Sequence, residues 1–136
     1  MELEFAQKIL KKFKIDDTII SINQNKTGLI NQTFELSTHE NKYILQRINT
    51  QIFPNYHQGL ENIILIKKWL KKTNYSYEFP SPLQNQYLNF KEKIWRLLPF
   101  VKKSNSINKV SNISEAEEAV KCMAEFYNCL EDIPIE

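Results

Sequence analysis

Glycine is almost missing from this chain of 136 residues: Gly28 and Gly59 are the only two. A phosphate loop of the G-x-G-x-x-G kind needs several close together, so that backbone can approach an anion, and is excluded. Aspartate is nearly as scarce, occurring only as Asp16, Asp17 and Asp132. The two cysteines, Cys122 and Cys129, fall seven apart in a helical pattern. That puts them on one face, roughly 10 Å apart and beyond disulfide reach. His39 and His57 have no ligand-like neighbours, so no zinc site forms from these types. The longest apolar run, Ile63–Ile66, is broken at once by Lys67 and Lys68, far short of a membrane span. Charge of one sign is also lacking: 18 basic against 16 acidic side chains leave +2. The lysines come in pairs beside acids or apolar helix positions, as on solvated helix faces, which argues against a nucleic-acid or membrane partner. The opening MELEFAQKILKKF places acids first and lysines among its apolar residues, the reverse of a secretory signal, and predicts a cytoplasmic chain.

What remains is an ordinary globular composition, 42% hydrophobic and 25% charged, with length for one real core. Leu3, Phe5, Ile9, Leu10 and Phe13 share a helical stripe. From Thr18 the pattern turns β-branched, and three strands are predicted over Thr18–Asn23, Gln32–Ser37 and Lys42–Ile48, with polar turns around Gly28 and at His39–Asn41. A helix is predicted from about Gly59 to Lys72, with Trp69 buried against the sheet. After Pro80 and Pro82, a hairpin is predicted from Leu83–Tyr87 and Leu88–Leu98, ended by Pro99. Ser114–Glu117 reads as a capping box for a last amphipathic helix carrying Met123, Tyr127 and Leu130. The order is α, β, β, β, α, β, β, α: an α+β fold with a five-stranded antiparallel sheet, one inserted helix, and N- and C-terminal helices.

Four words in this order carry a likeness: Thr27–Leu36 (TGLINQTFEL), Lys42–Asn49 (KYILQRIN), Leu60–Ile63 (LENI) and Trp95–Phe100 (WRLLPF). Together they resemble the aminoglycoside phosphotransferase family, and within it the N-acetylhexosamine 1-kinase branch. The resemblance implies a protein-kinase-like N-terminal lobe over residues 1–101, followed over 102–136 by a linker and the first helix leading to a C-lobe. It implies ATP as the bound nucleotide, with magnesium in the complete protein, and a small hydroxylated acceptor such as a sugar or amino sugar.

On that likeness the nucleotide-binding candidates are Gly28, Asn31 and Thr33 near the phosphates, Gln46 or Arg47 on the third strand, Glu61 on the inserted helix, and backbone at Leu98 and Phe100 as the adenine hinge. Gln46 stands where the family carries its phosphate-binding lysine; Arg47 replaces it if a local bulge turns that residue inward. Glu61 would orient whichever side chain is used. No catalytic or metal residue is assigned, because the His-Gly-Asp loop and magnesium-binding Asn and Asp of the family have no counterpart in these residues. The resemblance therefore predicts a lobe inactive alone, whose last helix packs on a missing C-lobe or a neighbouring chain. The alternative is a non-catalytic protein-interaction module.

Overall fold

The computed structural model describes residues 1–26, 28, 30–104, 107 and 109–134. Its elements run α1 (Leu3–Lys12), β1 (Ile19–Asn25), β2 (Gln32–Thr38), β3 (Lys42–Ile48), α2 (Tyr56–Lys72), β4 (Leu88–Phe90), β5 (Lys93–Pro99) and α3 (Ile113–Leu130). The strands form one antiparallel sheet in the order β1-β2-β3-β5-β4. Two compact units divide the chain. One holds Met1–Glu61 and Pro80–Phe100, the other Asn62–Phe79 and Val101–Glu136.

The first unit is built on the sheet and α1. Period-two alternation sends Phe34 and Leu36 of β2, Leu45 of β3, and Trp95 and Leu97 of β5 to one face, where they are buried with Ala6, Ile9, Leu10 and Phe13 of α1. Phe5 adds ring contacts to Phe90 and Trp95, with centroids 5.4 and 5.8 Å apart. Of the predicted α1 stripe, Ile9, Leu10 and Phe13 are buried and Phe5 packs against them part-exposed. Ala6 is buried and Leu3 is exposed.

Polar side chains tie α1 to the sheet. Gln7 uses both ends of its amide, donating to the Asp17 carbonyl at 2.8 Å and accepting the Ile19 N–H at 2.9 Å. The Asp17 carboxylate accepts from Tyr43 Oη (2.7 Å), Asn41 Nδ2 (3.1 Å) and Thr38 Oγ1 (3.4 Å). These bonds, Tyr43 first, hold the Asp17 carboxyl below its usual range. Burial, then the bond to Asp17, pushes the Tyr43 phenol up to about 12.

In the second unit, the later turns of α2 and the segment after it meet one face of α3. The Trp69 indole N–H donates to the Cys129 carbonyl at 2.7 Å, Tyr75 Oη lies 3.3 Å from Cys122 Sγ, and Ser76 bonds Glu125 through N–H and hydroxyl at 2.6 and 2.8 Å. Phe126 stacks on Phe79 and meets Tyr75 edge-on. Both cysteines are free, as their spacing predicts.

Three expectations are corrected. The buried core of the first unit is built by α1 and the sheet, and Trp69, expected to be buried, is half-buried and bonds the Cys129 carbonyl of α3. Leu83–Tyr87 is not a strand: Leu83–Asn85 forms a 3-10 turn, Gln84 reaches back to bond the Phe13 carbonyl, and β4 is only three residues long. Finally, α3 begins before the expected box. Asn112 caps it by accepting the Glu115 N–H at 2.9 Å, while the Glu115 carboxylate accepts the Ser111 N–H at 2.7 Å.

Candidate functional site

Alternation also decides what the sheet shows on the face turned away from α1. The pairing of β3 with both neighbours is continuous, Gln46 standing opposite Thr33 and Arg96, and Arg47 opposite Gln32 and Trp95. No bulge interrupts it, so Gln46 and Arg47 point to opposite faces. Arg47 goes with the α1 side. It borders a cavity of about 460 Å³ there, together with Phe5, Gln32, Phe34, Lys93 and Trp95.

The other face carries a polar row across three strands. Gln46 Nε2 donates to Thr33 Oγ1 at 2.9 Å, Arg96 Nε donates to Gln46 Oε1 at 2.8 Å, and Arg96 Nη1 reaches Tyr87 Oη at 3.4 Å. Chemistry fixes the directions. A guanidinium can only donate, so the Gln46 amide must turn its oxygen to Arg96 and its nitrogen to Thr33. The Thr33 hydroxyl accepts in that bond and keeps its own hydrogen for another partner. Arg96 and Tyr87 were not among the sequence candidates. The signal that would have found them is register, since Arg96 has the same strand parity as Leu98 and its partner Gln46 is 50 positions away.

The remaining candidates divide. Asn31 Oδ1 accepts the Asn49 N–H at 2.9 Å and so anchors the segment leaving β3. Gly28 has no positive φ, and a Cβ there would sit 3.5 Å from the Asn31 carbonyl oxygen and 3.8 Å from Thr33 Oγ1, ordinary contact distances. Its neighbours Thr27 and Leu29, part of the same sequence word, lie outside the described residues. Glu61 is exposed on α2 and makes no ion pair with Arg47 or any other described residue. Leu98 is half-buried opposite Ile44, and Phe100 lies under the Lys42 ammonium, 5.1 Å from ring centroid to nitrogen.

The backbone around Leu98 has a further property. β4 pairs with β5 only as far as Trp95, so among the described residues no strand lies beside one edge of β5 from Arg96 to Pro99. Such an edge offers N–H and C=O groups to a planar hydrogen-bonding ligand. Metal chemistry has no comparable provision. Among the described residues no three His, Cys, Asp or Glu side chains gather to hold an ion. No described helix is long and apolar enough to cross a membrane.

No protein-family model matches the chain. Among solved structures it is similar to a spectinomycin phosphotransferase crystallised with ADP and spectinomycin, with a TM-score of 0.61 at 14% identity. The match covers 98% of this chain and 38% of that one, so the chain spans well under half the length of the protein it matches. With its five-stranded antiparallel sheet and the helix between the third and fourth strands, this α+β chain has the fold of a kinase-like N-terminal lobe.

Proposed function

We propose that this chain is the ATP-binding lobe of a phosphotransferase whose acceptor is a small hydroxylated compound, a sugar or amino sugar in the manner of N-acetylhexosamine 1-kinases. The observation that carries the reading is the unpaired edge of β5 beside a row of anion-compatible donors, on a fold shared with a protein solved with ADP. In this reading, backbone at Leu98–Phe100 pairs with the adenine edge. Asn31, Thr33 and Gln46 then lie toward the phosphates. Phosphoryl transfer is catalysed by positioning and by neutralising charge, and it also needs a carboxylate to take the acceptor proton and ligands for magnesium. The described residues gather no such ligand set. The proposal therefore gives this chain nucleotide binding and gives the transfer step, with magnesium, to a second lobe.

Calorimetric titration of the chain with ATP tests the reading. Weak binding, in the high-micromolar to millimolar range, is expected, because one lobe supplies only part of the burial a nucleotide needs. No phosphate transfer to added sugars should accompany it. Absence of any saturable ATP binding would overturn the proposal. The second reading, a non-catalytic interaction module, is favoured by one observation, the exposed row Val120, Met123 and Tyr127 on α3.

A further inference from the structure

Resting on that nucleotide-binding reading, we propose that Arg96 is the anion-receiving residue of the lobe, with Gln46 and Thr33 as positioning residues and the polyphosphate of a nucleotide as the ligand. A guanidinium keeps its charge at any physiological pH and presents five N–H donors in a planar fork. Here the fork is aimed but not consumed. Nε is taken by Gln46 and one Nη1 hydrogen reaches Tyr87, both neutral acceptors, while Nη2 has no acceptor among the described residues. No carboxylate among those residues lies within ion-pair distance of Arg96. Glu35, the acid that β2 places on the same face, is already paired with Lys42 at 2.7 Å.

A half-buried charge held only by neutral groups has given up part of its hydration without gaining a counter-ion. An incoming anion supplies that counter-ion, and the free side of the fork fits a bidentate phosphate contact. The Gln46 amide fixes the fork's orientation, and Thr33 fixes the amide, so the geometry exists before the ligand arrives. Position selects the polyphosphate. Arg96 and Leu98 lie on the same face of β5 two residues apart, roughly 7 Å along the strand. A base held at the unpaired edge around Leu98–Phe100 can therefore extend its phosphates toward Arg96. Arg47, on the opposite face, cannot share this ligand.

The test titrates the full 136-residue chain with sodium tripolyphosphate, ATP and adenosine, by calorimetry and by following the Arg96 Nε–H signal in nitrogen-edited NMR. ATP and tripolyphosphate should move that signal and adenosine should not. Arg96→Gln should weaken both anions by about 10- to 100-fold, the loss of a charge-assisted pair of bonds, while leaving adenosine binding as it was. Gln46→Glu places a carboxylate against Arg96 and should produce a similar loss with the sheet's spectrum intact. Lys93→Gln, which removes an equal charge elsewhere on β5, should have little effect. If ATP binds Arg96→Gln as tightly as the parent, or if Arg47→Gln causes the loss instead, the assignment of Arg96 is overturned while nucleotide binding stands. If tripolyphosphate binding depends on Arg96 but ATP binds no better and adenosine not at all, Arg96 stands as an anion receptor and the nucleotide reading falls. No binding of either anion overturns both.

Discussion

Asp17 gathers three hydrogen bonds at the junction of α1 and the sheet, and its partner Tyr43 makes the fold sensitive to alkali. The Tyr43 phenol ionises near pH 10 when unfolded and is pushed up to about 12 here, because the neutral form is the one that is half-buried and donating to Asp17. A raised pKa on an acid means the stabilisation is complete below pH 10 and is lost as pH climbs through 12. Denaturant midpoints measured between pH 8 and 12 should fall in that window, and Tyr43→Phe should flatten the fall. At neutral pH, Tyr43→Phe should cost about 1 kcal/mol, less than a bond to a charged group is usually worth because solvent reaches the pair. Gly59 offers the opposite change. A Cβ there would meet nothing within 4 Å, and the residue lies inside α2, so Gly59→Ala should raise stability by about 1 kcal/mol in chemical denaturation. Residue roles were only partly legible in the sequence. Alternation separates Gln46 from Arg47, but it cannot say which face α1 will take, and that choice depends on where Ala6, Ile9, Leu10 and Phe13 find their partners.

Elements with a strong period were legible; their ends were not. β2 and β3 appear where β-branched and aromatic residues alternate, whereas β4 is short because the segment from Leu83 spends itself on a 3-10 turn. The β4–β5 hairpin turns through Lys91 and Glu92, both at positive φ (50° and 58°), the conformation of a type I′ turn. Neither residue type suits that region, so the sequence held no turn signal. Replacing Glu92 by Gly should release strain and gain about 1 kcal/mol, read as a higher midpoint in denaturant. The start of α3 was misplaced for a similar reason: Ser114 and Glu117 have box spacing, but Asn112 with Glu115 has it as well, and the latter pair makes the bonds. Asn112→Ala should cost about 1 kcal/mol, detectable as increased amide exchange over the first turn of α3. The same helix shows why a stripe predicts burial without naming its partner. Cys122, Phe126 and Cys129 meet the α2 side of their unit, while Met123 and Tyr127 are left 50% and 66% exposed.

At the scale of the molecule, element order was legible because each strand and helix could be read locally, and that order together with the four sequence words pointed to a kinase-like lobe. The join of β3 to β5 had no local pattern to announce it, since α2 and three prolines (Pro54, Pro80 and Pro82) separate the strands. That join has a kinetic side. β1, β2 and β3 pair as neighbours across short turns, but Leu45 must find Leu97 only after the whole intervening stretch has been gathered in. Closing so long a loop costs entropy before any contact repays it, so the meander should assemble first and the β5 hairpin dock late. In stopped-flow refolding, Leu36→Val should slow the folding rate, whereas Leu97→Val should chiefly speed unfolding. Until that late step, the β5-facing edge of β3 is unpaired, and the nascent chain passes through a stage in which strand exchange between copies competes with its own completion.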